Sequence, residues 1–302
     1  MMRLSPIAVF TYNRLLHTQQ TIESLKKNEL AVDSELFVFS DGPRTEADKI
    51  TVQAIREYLK TIEGFKNITV IARDINLGLA KSIIDGVSEI VNKYGRVIVL
   101  EDDMLTSPYF LRFMNDALEF YENEGKVISI HGYLYPVKTE LPETFFLKGA
   151  DCWGWATWKR GWDLFEQSGQ KLLDELKARS LTRRFDFNTS YDYTKMLEAQ
   201  VKGQNDSWAI RWYASAFLKD KLTLYPGTSL IFNTGIDASG THCNAVDIYD
   251  TKISRGRINI AKISLEEDAR ALEAIGSYFR SSKTSLGRAV ANRINKILNR
   301  CR

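Results

Sequence analysis

Cysteine is scarce in this sequence, and long apolar runs are absent. Its 302 residues include only three cysteines, Cys152, Cys243 and Cys301, without the paired spacing of a zinc site. This scarcity argues against a disulfide framework and against structural zinc, and it favours a reducing compartment. The first apolar segment, Ile7–Phe10, is too short for a signal-peptide core, and no segment approaches the roughly 18 apolar residues of a membrane span. These features predict a cytoplasmic protein.

Charge of either sign is not in excess. Lysine and arginine together number 41 against 38 aspartate and glutamate residues, so the formal net charge is +3. That excess is too small to indicate a nucleic-acid partner. Apolar residues at 44% and charged residues at 26% are typical of a globular chain, which argues against a disordered, collagen-like or coiled-coil protein.

Short apolar segments alternate with amphipathic ones through the first half of the chain. Strands that are apolar throughout, separated by helices, indicate an open α/β sheet that is mainly parallel, Rossmann-like and covered on both faces. Such sheets bind ligands at the carboxyl ends of their strands. The second helix is expected to bury Ile50, Ala54, Tyr58 and Leu59. The predicted strands cover residues 7–11, 36–40, 68–72, 97–100 and 127–131, and the predicted helices cover 15–27, 45–61, 79–93 and 108–123.

Three consecutive acids, Glu101, Asp102 and Asp103, follow the fourth predicted strand. Adjacent carboxylates repel each other unless a cation or hydrogen bonds compensate them. Carboxylate oxygens are hard ligands that suit Mg²⁺ or Mn²⁺, and such an ion can hold a diphosphate. The alternative is a solvated acidic turn or a capping cluster before the helix that Ser107 and Pro108 introduce. The position at a strand end of a parallel sheet favours the metal site.

Four segments together resemble one known family. They are FTYNR after the first strand, FSDG at the end of the second, NLGLAKS before the third helix, and VLEDDMLTSPYF with the ALEFYENEGKVISIHG that follows it. Their order and spacing are similar to those of GT-A fold glycosyltransferases, and more narrowly of the N-acetylglucosaminyltransferase I-like group. The resemblance runs roughly from Pro6 to His242. It implies one GT-A domain over residues 1–245, with a nucleotide-sugar-binding half at 1–130 and an acceptor half at 131–245.

The resemblance assigns the donor-binding residues by position. Asp103 corresponds to a direct ligand of Mn²⁺ or Mg²⁺, while Glu101 and Asp102 correspond to residues around the metal-bound water, the ribose or the sugar. Asp41 corresponds to an acid that accepts a hydrogen bond from uracil. The other residues implied to contact the nucleotide sugar are Thr11, Arg14, Asn76 and Lys81, and Asn76 stands where the closest relatives have a histidine.

An acid in the second half is the candidate catalytic base. Inverting transfer is a single displacement at the anomeric carbon, and one base must take the proton of the acceptor hydroxyl. The segment GQNDSWAIRW resembles the family's acidic segment before a helix, and this resemblance assigns Asp206 as the base. The alternative is that Asp206 caps the helix that begins near Trp208.

An aromatic segment, CWGWATWKRGW, is a candidate substrate wall. Trp153 and Trp155 resemble the acceptor and sugar wall of GT-A enzymes, because indole faces stack on sugar rings; the alternative is that they fill the core. Asp151 is expected to bond a hydroxyl of the donor sugar. His242 ends a polar, Gly-rich loop, where it either contacts the metal or the diphosphate or has a structural role.

The chain beyond the predicted domain has two parts. Residues 246–284 are expected to form a linker and a helix. Residues 285–302 have apolar positions at helical spacing and a basic face, which predicts a helix that binds an anionic membrane surface or, alternatively, packs on the domain.

These features predict a metal-dependent, inverting glycosyltransferase that uses a nucleotide-diphosphate sugar, with UDP as the expected nucleotide. Its acceptor is expected to be a glycan or a lipid-linked glycan, reached from the cytoplasm as a peripheral protein on the inner face of a membrane. One alternative is a sugar-nucleotide nucleotidyltransferase, but that class needs a Gly-rich phosphate loop, and residues 11–14 contain no glycine. The other is a non-catalytic glycan-binding protein on the same fold, which has little use for crowded acids.

Overall fold

An eight-stranded sheet forms the centre of the computed structural model, which describes residues 3–235 and 251–282. His242 and the predicted membrane-binding segment at 285–302 lie outside the described residues. The strands are β1 (Ile7–Thr11), β2 (Glu35–Ser40), β3 (Asn67–Ala72), β4 (Arg96–Glu101), β5 (Met104–Thr106), β6 (Val127–His131), β7 (Thr144–Lys148), β8 (Trp155–Trp158), β9 (Leu222–Pro226) and β10 (Ile231–Asn233).

The sheet is mainly parallel, as the apolar strands predict. Its strand order is β3-β2-β1-β4-β8-β6-β9-β7, and a separate two-stranded ribbon pairs β10 with β5. β1 runs parallel to β2 and β4, and β2 runs parallel to β3. β8 is antiparallel to both β4 and β6, so β6 and its parallel neighbour β9 keep the direction of β4. Six strands therefore end at one edge of the sheet, which we call the site edge.

Helices cover both faces of the sheet. Their bounds are α1 (Leu15–Lys26), α2 (Asp48–Leu59), α3 (Leu79–Tyr94), α4 (Phe110–Phe120), α5 (Lys159–Trp162), α6 (Gly169–Ala178), α7 (Thr182–Phe185), α8 (Tyr193–Val201) and α9 (Trp208–Leu218), with a 3₁₀ turn at Ala31–Asp33. Residues 269–282 are also helical. This layered arrangement confirms the predicted α/β class.

Two local predictions were wrong, and both concern which residues are buried. Helix α2 buries Val52, Ile55 and Leu59, whereas Ile50 is 79% exposed. The predicted apolar face of α2 was therefore rotated about the helix axis relative to the face that is buried. Strand β3 was predicted to be buried, but it is the edge strand of the sheet, and none of its residues is buried.

The core continues beyond the predicted domain boundary. Ile258 is buried in the cluster that also contains β1 and α4 residues, with Ile260 and Ile263 packed against it. The helix at 269–282 buries Ile275 and Phe279 in a second-half cluster around α9. The described part of the predicted linker and helix therefore packs onto the sheet domain. Within the described ranges, no helix has both the length and the apolar character needed to cross a membrane.

Candidate active site

The acidic turn between β4 and β5 lies at the site edge, and hydrogen bonds from α1 and from the segment after β10 fix its backbone. Thr21 on α1 donates its hydroxyl to the carbonyl of Asp102 over 2.8 Å and accepts the Met104 amide over 3.1 Å. After β10, the Thr234 amide donates to the carbonyl of Asp103 over 2.8 Å. The carboxylates thus project from a backbone that the fold holds in place.

Arg14 pairs with two of the three acids. Its Nη2 donates to Asp102 Oδ1 and, over 2.8 Å, to Asp103 Oδ2. Burial raises the pKa of Glu101 to about 8, with the charges of Asp103 and Asp102 adding to the rise. Burial also raises the pKa of Asp102 to about 6, although Arg14 opposes it. One guanidinium therefore leaves part of the negative charge uncompensated.

The arrangement fits a divalent cation. Among the described residues, Asp103 Oδ1 is buried and has no hydrogen-bond partner. No group of three or more ligating side chains is arranged for a metal within residues 3–235 and 251–282. Mg²⁺ in substrate-bound sites commonly takes only one or two protein carboxylates and completes its shell with water and phosphate oxygens. Asp103, with Asp102 beside it, supplies a set of that kind.

Gly235 packs directly against the acidic turn. A Cβ at this position would lie 2.1 Å from Asp103 Oδ2 and 3.1 Å from Arg14 Nη1. A larger residue at position 235 would require the Asp103 carboxylate to shift. The sequence contained no signal for this contact, because it joins positions that are remote in the chain.

The loops after β2 and β3 are tied together by Asp41. Its Oδ1 accepts the amides of Gly42 and Leu77 over 3.0 and 2.9 Å, and its Oδ2 accepts the amide of Gly78 over 3.1 Å. Asn76 adds a bond from its Nδ2 to the carbonyl of Gly42 over 2.8 Å. Both residues lie at the site edge, where the uracil and ribose contacts were predicted, and both hold loop backbone. Their contacts to a nucleotide remain predictions.

The other predicted donor residues lie around the same edge. Thr11 is buried at the end of β1, where its hydroxyl shares a hydrogen bond of 2.6 Å with Thr18. Lys81 lies in the first turn of α3, and its ammonium pairs with Asp85 over 2.8 Å. The structure thus places Arg14 against the acids, whereas Thr11 faces α1.

Asp206 lies at a cavity of about 320 Å³ between the amino-terminal ends of α3 and α9, which Lys81 also lines. The cap of α9 is Ser207, whose Oγ accepts the Ile210 amide over 3.2 Å. The capping alternative for Asp206 is therefore wrong. Its carboxylate is instead largely exposed and lies 3.4 Å from Nη2 of the buried Arg211.

Arg211 was not predicted as a site residue. Its guanidinium donates to the carbonyls of Ser207 and Gln167, both over 3.2 Å, and reaches Asp206 with its remaining nitrogen. Burial lowers the pKa of Arg211, and Asp206 partly opposes this shift. The segment GQNDSWAIRW contains both residues five positions apart, which is the one sequence signal for their contact.

Asp151 is surrounded by aromatic residues that sequence reasoning had not connected to it. The hydroxyls of Tyr135 and Tyr225 donate to its Oδ2 over 3.3 and 3.5 Å, and Nε2 of the fully buried His131 lies 3.6 Å away. Burial lowers the pKa of His131, against the effect of Asp151. The carboxylate also accepts the Cys152 amide over 2.9 Å. Asp151 therefore lies at the site edge beside β6, where its predicted contact to the donor sugar remains a prediction.

The two candidate tryptophans have different surroundings. Trp155 is completely buried and stacks among Trp162, Trp208 and Trp212, so core packing, the alternative interpretation, applies to it. We therefore discard its predicted role as a sugar contact. Trp153 is only partly buried and lies edge-to-face with Tyr133 at 4.7 Å. It remains a candidate for the substrate wall.

A mainly parallel sheet with an acidic turn at the carboxyl end of a central strand defines the class: the protein has the GT-A fold of glycosyltransferases. The model of the family described as Glycosyl transferase family 2 matches residues 7–178, which is more than half of the chain. The chain therefore belongs to glycosyl transferase family 2.

Two solved structures show partial similarity to this chain. The truncated S. aureus protein TarS (residues 1–349) is 14% identical, with 78% of this chain and 62% of that chain covered and a TM-score of 0.40. The mannosyltransferase PcManGT from Pyrobaculum calidifontis, in complex with GDP-Man and Mn²⁺, is 15% identical, with 42% and 34% covered and a TM-score of 0.30. This chain thus spans less than two thirds of their lengths. No curated protein sequence matches it significantly.

Proposed function

We propose that the protein transfers a sugar from a nucleotide-diphosphate sugar, with UDP as the nucleotide, to a hydroxyl of a glycan or lipid-linked glycan, with inversion at the anomeric carbon. The observation that carries this proposal is the pair Asp102 and Asp103, held at the site edge with a buried carboxylate oxygen that has no partner among the described residues. A divalent ion, Mn²⁺ or Mg²⁺, would neutralise the charge of the departing diphosphate.

The chain's own residues account for the remaining steps. Asp206 takes the proton of the acceptor hydroxyl as that oxygen bonds to the anomeric carbon and the bond from this carbon to the diphosphate oxygen breaks. Arg211 holds the Asp206 carboxylate in place. The nucleoside diphosphate leaves with the electron pair of the broken bond. Asp151 and Trp153 are the residues that would contact the sugars.

Three finer assignments belong to this proposal. The N-acetylglucosaminyltransferase I-like group rests on the four segments quoted above, and the assignment of Thr11, Asp41, Asn76, Lys81 and Glu101 to the nucleotide sugar follows from it. The contact of His242 with the metal or diphosphate rests on the same resemblance. A peripheral position on a membrane rests on the basic residues at 285–302; liposome binding that persists after their deletion would remove that part.

Calorimetry tests the metal-dependent donor site. UDP should bind at least about tenfold more tightly with MnCl₂ than with EDTA, since the ion joins carboxylate to phosphate. D103A should lose this enhancement. D163A, which removes an exposed acid paired with Lys159, is the matched control and should keep it. Equal UDP affinity with and without MnCl₂ in the unaltered protein would refute the proposal.

A second experiment tests the base. A panel of UDP-sugars identifies the accepted donor through UDP release. D206N should retain binding of UDP with MnCl₂ and lose at least about 100-fold in turnover, because the acceptor proton then has no base. D163N should turn over normally. Normal turnover by D206N would remove Asp206 from this role.

A further inference from the structure

Arg14 contacts two carboxylate oxygens of the turn that a metal ion could bind. Its Nη2 contacts Asp102 Oδ1 and Asp103 Oδ2 together, and its side chain is about four-fifths buried. Arg14 is thus the arginine paired with both acids, and His17 also acts on Asp102 through its charge. The guanidinium therefore acts as the counter-ion of this acidic turn in the ligand-free protein.

A divalent cation and this guanidinium cannot share the same oxygens at low cost. Both are positive, and within a few ångströms in a partly buried site they repel strongly. The buried oxygen without a partner, Asp103 Oδ1, belongs to a carboxylate that Arg14 already contacts. An ion that binds through this carboxylate therefore displaces the guanidinium or binds more weakly because of it.

The side chain of Arg14 can move without its backbone. The Arg14 carbonyl accepts both the amide and the hydroxyl of Thr18, over 3.0 and 2.9 Å, which fixes the residue at the start of α1. A guanidinium released from the acids remains at the site edge on this fixed backbone. Its planar fork of donors matches phosphate oxygens better than an ammonium group does.

We propose that Arg14 couples the binding of the metal to the binding of the donor diphosphate. Arg14 competes with the ion for Asp102 and Asp103, and once displaced it binds the diphosphate. The metal therefore binds weakly alone and tightly with the nucleotide, and by linkage each ligand increases the affinity for the other. This inference rests on the proposed function, because it takes the acidic turn as the metal site.

The test compares calorimetric titrations of MnCl₂ alone and of UDP with and without MnCl₂. R14M removes the competing charge and should bind MnCl₂ alone at least about fivefold more tightly, while the increase in UDP affinity caused by MnCl₂ should fall by at least about fivefold. R14K keeps the charge and should bind MnCl₂ like the unaltered protein. R112M, which removes an arginine paired with Glu29 and Asp116, is the control and should change neither affinity.

Folding is followed by thermal unfolding in EDTA and in MnCl₂. If R14M does not fold in EDTA, R14Q, which keeps amide donors without the charge, takes its place and should show the same tighter binding of MnCl₂. Unchanged or weaker MnCl₂ binding by the folded charge-removing variant would overturn the inference. If D103A still loses the enhancement of UDP binding by MnCl₂, the proposed function survives that failure. If the unaltered protein shows no such enhancement, the proposed function itself fails.

Discussion

Two carboxylates at the same sheet edge, Asp41 and Asp103, differ in what surrounds them. Both oxygens of Asp41 accept backbone amides, from Gly42, Leu77 and Gly78. Asp103 has one oxygen on Arg14 and one without a partner among the described residues. Both acids are buried, so their difference is one of hydrogen bonding. A buried carboxylate that binds loop amides supports the fold, whereas one held beside its neighbours' charges is available to a ligand.

Replacement of the two acids gives the largest expected contrast. D41A leaves three amides without their acceptor and should lower the free energy of unfolding by about 3 kcal/mol, since bonds to a charged acceptor are the stronger kind. D103A removes one of three crowded charges and should stay within about 1 kcal/mol of the unaltered protein. Urea unfolding in EDTA measures both. Similar losses for the two variants would contradict the distinction.

Two glycines differ in a similar way: Gly42 lies against backbone, whereas Gly235 lies against the side chain of Asp103. A Cβ on Gly42 would lie 2.4 Å from the carbonyl carbon of Ile75, and backbone cannot yield cheaply, so G42A should cost about 2 kcal/mol of stability. A Cβ on Gly235 would meet the movable carboxylate of Asp103. G235A should therefore cost less than about 1 kcal/mol and weaken binding of UDP with MnCl₂ about tenfold.

The control for both glycine variants is G125A, because a Cβ on Gly125 would have no described atom within 4 Å. Urea unfolding and the UDP titration are repeated on it, and neither should change. A G235A protein that binds UDP and MnCl₂ normally would show that the space beside Asp103 has no functional importance.

A third carboxylate, Asp151, differs from Asp41 and Asp103 because it lies beside a buried histidine, so its surroundings should make stability depend on pH. It faces the buried His131, whose other close neighbours are the rings of Tyr133 and Tyr225. Burial lowers the pKa of His131 below its ordinary value, so below about pH 6.5 the unfolded chain binds a proton that the folded chain does not. The contribution of His131 to stability should therefore fall as the pH falls below that value, by at most about 1.4 kcal/mol per pH unit. Glu101 and Asp102 contribute in the opposite direction, because burial raises their pKa values and the folded chain then binds the extra protons. Relative to the unaltered protein, H131Q should therefore lose less or gain more stability between pH 7 and pH 5 in urea unfolding; an identical pH dependence would exclude His131 as a contributor.

Much of the fold could be predicted because the strands are apolar throughout. β1, β2, β4 and β6 were placed within one residue of their observed starts and ends, since short β-branched and aromatic runs such as VIVL and LFVF favour a buried strand. The exposure of β3 could not be predicted, because its sequence resembles that of a central strand and only the sheet order puts it at the edge. β7, with the sequence TFFLK, was missed altogether.

The candidate site shows the same limit. The three consecutive acids were visible because charge at the end of an apolar strand is a local pattern. Their contacts with Arg14 and Gly235 were not visible, because these residues are distant in the sequence. The contacts depend on the packing of β1 and β10 against the turn. Trp153 and Trp155 are two residues apart in one motif, and the sequence does not distinguish their roles. The structure does, because Trp155 is completely buried.

The short ribbon of β5 and β10 has a consequence for how the protein is made. The carbonyl of Asp103 is held by Thr234, 131 positions later in the chain. During synthesis, Glu101, Asp102 and Asp103 are therefore made long before β10 and the Thr234 that follows it. A fragment cut after residue 178, where the family match ends, would contain every acid of the turn and lack both β9 and β10. The acidic turn therefore gains this backbone contact only after a further 131 residues have been made.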